Sequence, residues 1–130
     1  MQRVLGFGGF FFKAKDPKAL ANWYADHLGV TRTPSDYGQT PWMQERGATV
    51  FQPFPLDTDM FGRPDQSFML NFRVADLDAM VTQLRGAGIA VDVDPQTYPN
   101  GRFAQLNDPE GNPVQLWQEE MSFTPPVSHG

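Results

Sequence analysis

The sequence predicts an α+β fold built from two tandem βαβββ modules. Two observations predict it. Phe10, Phe12, Ala14, Asp16, Ala19 and Leu20 recur sixty residues later as Leu70, Phe72, Val74, Asp76, Ala79 and Met80. Within each copy the apolar spacing changes from alternation to a helical period just after an Asp, the mark of a strand feeding a helix.

In the first copy Asp16 is the expected N-cap and Pro17 the first helical residue, with an apolar stripe of Leu20, Trp23, Tyr24 and Leu28 ended by Gly29. In the second, Asp76 caps a helix whose stripe is Leu77, Met80, Val81 and Leu84, ended by Gly86 and Gly88. Each helix therefore has one buried and one wet face. Three strands are expected after each helix. In the first half they run about Thr31 to Asp36, Thr40 to Arg46 and Ala48 to Phe54, with Gly47 at a tight turn. In the second they run about Ala90 to Asp94, Arg102 to Asn107 and Pro113 to Glu119, with Asp108-Pro109-Glu110-Gly111-Asn112 as the hairpin connection. The modules are 5–54 and 67–120 of a single domain, 1–120. Residues 55–66, rich in Pro, Gly and Asp, form a linker that doubles as a rim loop, and 121–130 is read as a flexible tail pinned, if anywhere, by Phe123.

Composition narrows the function. A chain of 130 residues fits one domain. With no cysteine, disulfides, thiolate metal sites and thiol nucleophiles are all excluded, in keeping with a cytoplasmic protein. A net charge of -5 and a pI near 4.8, with no basic run, argue against nucleic acid as a partner. No stretch reaches the roughly 20 apolar residues that span a bilayer, and the aromatic, glycine-rich start is unlike a signal peptide. Aromatics supply 13% of the residues, Phe alone 11 of them, so some rings are expected to line a cavity.

The chain resembles the vicinal oxygen chelate superfamily of glyoxalases, bleomycin-resistance proteins and extradiol dioxygenases. The resemblance spans Leu5 to Glu120. It is carried by Lys13-Ala14-Lys15-Asp16-Pro17 leading to Trp23-Tyr24 and Leu28-Gly29, by Arg73-Val74-Ala75-Asp76-Leu77-Asp78 leading to Gly86-Ala87-Gly88, and by Asp108-Pro109-Glu110-Gly111-Asn112-Pro113. It implies a glyoxalase-like curved mixed sheet, a half-barrel with the helices outside and a ligand in the concavity. It also implies a homodimer.

Metal-dependent members hold their ion through inward-facing groups of the first and last strand of each module. The resemblance places those positions at Gly9, Phe51, Met69 and Gln115. A hydrogen, a phenyl ring, a thioether and one amide do not make the nitrogen and carboxylate set that a divalent ion needs. The two histidines, His27 and His129, fall outside the strands, and a dioxygenase needing two His and one Glu is excluded. Neither a metal nor another cofactor is expected.

Strand alternation sorts the remaining side chains. Phe10, Phe12, Ala14, Leu70, Phe72 and Val74 belong under the helices. The ligand-binding candidates on the concave side are Phe11, Lys13, Trp42, Phe51, Met69, Asn71, Arg73, Gln115 and Trp117. They make an aromatic wall with a few polar heads, of which Arg73 suits a carboxylate or phosphate. A small-molecule-binding protein working without metal is the leading expectation. A glyoxalase-like lyase or isomerase with a degenerate or unrecognised metal site, with Lys13, Arg73 and Gln115 steadying an oxyanion, is the first alternative. A protein-interaction module with a filled cavity is the second. Gly6, Gly8 and Gly9 lead to no helix N-terminus and are not a phosphate loop, and Asp57, Asp59 and Asp65 lack calcium-loop spacing.

Overall fold

The computed structural model describes residues 1–120. The expected tail, with Phe123 and His129, lies outside them.

Both helices form where their caps place them. Helix α1 spans Pro17–Leu28, with the Asp16 carboxylate accepting from the Ala19 amide at 3.1 Å. Helix α2 spans Leu77–Gly86 and is capped the same way by Asp76, which accepts from Ala79 at 3.0 Å. Each cap satisfies a backbone donor that the first helical turn cannot.

The second half forms the five elements that its pattern predicts. Strand β1 (Leu70–Arg73) feeds α2, and β2 (Asp92–Val93), β3 (Gly101–Asn107) and β4 (Pro113–Glu119) follow. The sheet order is β1-β4-β3-β2, with β1 parallel to β4 and the other pairs antiparallel. The β3–β4 turn is tied by Asp108, whose Oδ1 accepts from the Glu110 and Asn112 amides at 2.8 and 3.0 Å. Gly111 in that turn has φ +81°, where a side chain would be strained.

The first half departs from expectation. Among the described residues no strand forms before Leu70, so the strands expected over Phe10 to Ala14, Thr31 to Asp36, Thr40 to Arg46 and Ala48 to Phe54 are absent, and one four-stranded sheet replaces two. The physical reason is partnership. Alternating apolar residues make a strand only where a neighbour completes the hydrogen-bond ladder, and Pro34, Pro41 and Pro53 lack the amide that a ladder uses. Phe12 and Ala14 still pack against the core, while Phe10 rests on Phe12 and Phe68.

A single core lies between the helices and one face of the sheet. Leu20 and Tyr24 of α1 and Leu77, Val81 and Leu84 of α2 pack on Val91, Ala104, Leu106, Val114 and Leu116. Glu110 binds the hairpin to α1: its carboxylate accepts from the amides of Lys15 at 2.7 Å and Asp16 at 3.1 Å. Behind it the Tyr24 hydroxyl donates to Asp108 at 2.7 Å, and Asn112 donates to the same carboxylate at 2.8 Å. Burial, and then the neighbouring Asp108, hold the Tyr24 hydroxyl well above its ordinary pKa of 10.0.

Candidate functional site

With Leu70, Phe72, Ala104, Leu106, Val114 and Leu116 turned to the helices, pleating turns the intervening residues of β1, β3 and β4 to the other face. Register then groups these into two rows. Asn71, Gln115 and Gln105 stand side by side across three strands, and Arg73, Trp117 and Phe103 form the next row. Cross-strand neighbours of this kind lie close enough to touch.

The first row is an amide strip. Asn71 Nδ2 donates to Gln115 Oε1 at 2.8 Å, and Gln105 Nε2 reaches Met69 Sδ at 3.7 Å. In the second row the Phe103 and Trp117 rings are parallel within 4°, with centroids 6.3 Å apart. Trp117 Nε1 donates to the Asn100 carbonyl at 2.8 Å, and only 4% of Trp117 is exposed. The indole is therefore a wall of the face, locked by the turn before β3. Gly101, at φ +139°, is required there, because a Cβ would run into the Gln118 carbonyl and lie 2.7 Å from Trp117 Nε1. At the rim, Tyr98 sets its ring edge-on to Phe103 at 5.9 Å and donates to Asp94 at 2.8 Å, which raises the phenol's pKa.

Arg73 ends the row half-buried. Its Nη2 donates to the Glu45 carbonyl at 2.8 Å. Among the described residues the close ion pairs are Arg32–Asp26, Arg63–Asp65 and Arg102–Asp78, so no carboxylate neutralises Arg73 within 4.0 Å.

Of the residues singled out from sequence, Met69, Asn71, Arg73, Gln115 and Trp117 share this face. The other four do not join them. Phe11 is 93% exposed, and Phe51, 80% exposed, touches Phe7 at 5.9 Å. Lys13 borders a shallow hollow with Lys15 and Glu110. Trp42 packs edge-on against Phe72, a helix-side residue of β1, at 6.3 Å. These four come from the half whose strands do not form, so alternation had no ladder to fix their faces. Conversely, Phe103 and Gln105 complete both rows and were not singled out. Their signal was present, since Phe103 and Gln105 alternate with Ala104 and Leu106 opposite the residues of β4.

The donor set at the four positions that the resemblance assigns to metal ligands does not fit an ion. Gly9 and Phe51 offer no donor atom, Met69 Sδ is a soft thioether, and Gln115 Oε1 is already engaged by Asn71. Among the described residues no three His, Cys, Asp or Glu side chains gather into a group able to hold a metal.

The molecule is thus an α+β domain with both helices on one face of its sheet and a mixed polar and aromatic lining on the other. The sequence pattern of the glyoxalase-like domain family matches residues 9–117, and the chain belongs to that family. Uncharacterized protein YaeR of Escherichia coli (strain K12) is 30% identical over 118 residues, covering 82% of this chain and 90% of that protein. The fold is shared with TnmS3, an antibiotic-binding protein from Streptomyces sp. CB03234, at a TM-score of 0.59 and 23% identity, covering 92% of this chain and all of that one. It is shared too with a lactoylglutathione lyase from Agrobacterium tumefaciens, at a TM-score of 0.52 and 22% identity, covering 81% and 87% of the two chains.

Proposed function

We propose that this protein binds a small organic molecule bearing an anionic group on the helix-free face of its sheet, without using a metal ion. The observation that carries the reading is the lining itself. Asn71, Gln105 and Gln115 present amide groups in one row, while Arg73 brings to the next a charge that no carboxylate among the described residues pairs with, beside the rings of Phe103 and Trp117. Convergent polar heads on an apolar wall are the usual make-up of a small-molecule site. That TnmS3 is an antibiotic-binding protein supports a binding role for the shared fold. The fold it also shares with a lyase leaves the chemistry to the side chains, and the positions that the sequence resemblance assigns to metal ligands carry groups that grip no cation.

We also propose that the chain works as a homodimer in which the first half gains the ladder partners it lacks. Phe7, Phe10, Phe11, Met43, Val50 and Phe51 are all exposed, in two stretches joined by the Phe7–Phe51 contact, and exposed apolar side chains gathered this way mark an interaction surface. Two tandem βαβββ modules, with the first completed across the dimer, are the arrangement this predicts.

Calorimetric titration with a panel of aromatic carboxylates, with and without divalent ions, tests the binding role. Saturable binding that is indifferent to metal is expected. A requirement for stoichiometric metal, or no binding across the panel, overturns it. Light scattering across a dilution series tests the dimer, and a monomer at every concentration refutes it.

A further inference from the structure

We infer that the main chain from Glu45 to Gly47 is a positioning element of this face, holding the Arg73 guanidinium so that the site selects a carboxylate over its neutral amide. The inference deepens the ligand-binding reading and rests on it. Arg73 Nη2 donates to a backbone carbonyl, that of Glu45, at 2.8 Å. Gly47 makes this seat. A Cβ there would collide with Nη1 and lie 2.6 Å from Cζ and 3.3 Å from Nε, so the guanidinium occupies the space that any side chain at 47 would take.

The consequence is electrostatic. A carbonyl dipole orients the fork without neutralising it, and no carboxylate lies within 4.0 Å of Arg73 among the described residues. A guanidinium fixed by one N–H, with its other N–H groups unspent, is prepared for a bidentate carboxylate. A long, free Arg would lose rotamer entropy in making the same contact; this one has already lost it. Gln115, diagonal to Arg73 across the β1–β4 pair, keeps its own amide N–H groups for the same ligand.

The role belongs to the backbone, so the side chains at 45 and 47 behave oppositely. Glu45→Ala leaves the carbonyl in place. Gly47→Ala displaces the guanidinium without straining its own backbone, since Gly47 is not among the glycines with positive φ.

The test is calorimetric titration of naphthalene-2-carboxylate and naphthalene-2-carboxamide into the full chain and its variants. Wild type and Glu45→Ala are expected to prefer the carboxylate about tenfold, roughly the worth of one charged contact. Gly47→Ala is expected to bring the two probes to within about threefold while leaving the carboxamide affinity unchanged, as a displaced rather than deleted cation should. Full preference retained in Gly47→Ala overturns the inference and leaves the ligand site standing. Binding of neither probe to wild type overturns the ligand reading, and the inference with it. Independently of how the variant folds, NMR of the wild-type Arg73 side chain should show distinct, slowly averaging Nη protons, and freely rotating ones also overturn the seat.

Discussion

Replacing Tyr24 with Phe removes a single hydroxyl from the network that fastens α1 to the β3–β4 hairpin. The ring stays in the core, only 7% exposed, so the loss is the hydrogen bond alone. Asp108 accepts four bonds, from Tyr24, from the Asn112 side chain and from two backbone amides, and three survive the substitution. A hydrogen bond to a charged group contributes about 1.5–3 kcal/mol, and the surviving bonds place the expected cost near the middle, about 2 kcal/mol. For a domain of this size that is a fall in Tm of roughly 8 °C. The variant also changes the alkaline limb. Tyr24 in the folded state holds its proton above the ordinary value of 10.0, so the unfolded chain ionises first and wild-type stability declines as pH rises past 10. Tyr24→Phe loses that component, while Tyr98, held neutral by Asp94, retains its own. Thermal melting at pH 8 measures the first effect, and urea denaturation between pH 8 and 11 the second. A Tm within about 2 °C of wild type, or an unchanged alkaline slope, would refute the reasoning.

Glu110→Ala frees the amides of Lys15 and Asp16 and should lower Tm by several degrees while leaving ligand affinity within about twofold, which calorimetry checks. Gly101→Ala should cost about 3 kcal/mol through its φ of +139° and its clash with β4, and should shift the Trp117 fluorescence maximum as the indole leaves the Asn100 carbonyl. Arg102 holds the Asp78 carboxyl below its usual range, so the pair contributes stability at neutral pH that fades as pH falls through that lowered value; Asp78→Asn should lower stability slightly at neutral pH, flatten the acid limb of a pH–stability curve and converge with wild type in acid. Gln105→Leu, from the strand that completes the amide row, should weaken naphthalene-2-carboxylate about fivefold with Tm preserved, as judged by parallel titration and melting.

Much of the second half was legible in the sequence because its signals are local. Asp76 before a helical stripe, and a five-residue turn between two alternating runs, each name an element and its partner together. The first half carries the same alternation at Phe10, Phe12 and Ala14, but its later runs are broken by Pro34, Pro41 and Pro53, and alternation identifies a face without identifying a neighbour. Phe11, Phe51 and Trp42 come from that half, and the structure does not bring them together with Asn71, Arg73 and Gln115. Gln105 and Phe103 were readable from the register across the Asp108–Asn112 turn. The grip of Arg73 on Glu45 was not, because a carbonyl oxygen belongs to every residue and leaves no trace in composition. Nor was the reach of Glu110 to an amide 95 positions away, which only the folded chain brings near.

The proposed function requires that a ligand bind on the helix-free face of the sheet. Amide chemical-shift mapping of the labelled chain during titration with naphthalene-2-carboxylate tests that most directly. Saturable shifts centred on Asn71, Arg73, Gln105 and Gln115 are the predicted result. Shifts centred on α1 or α2, or no saturable shift at all, would contradict it.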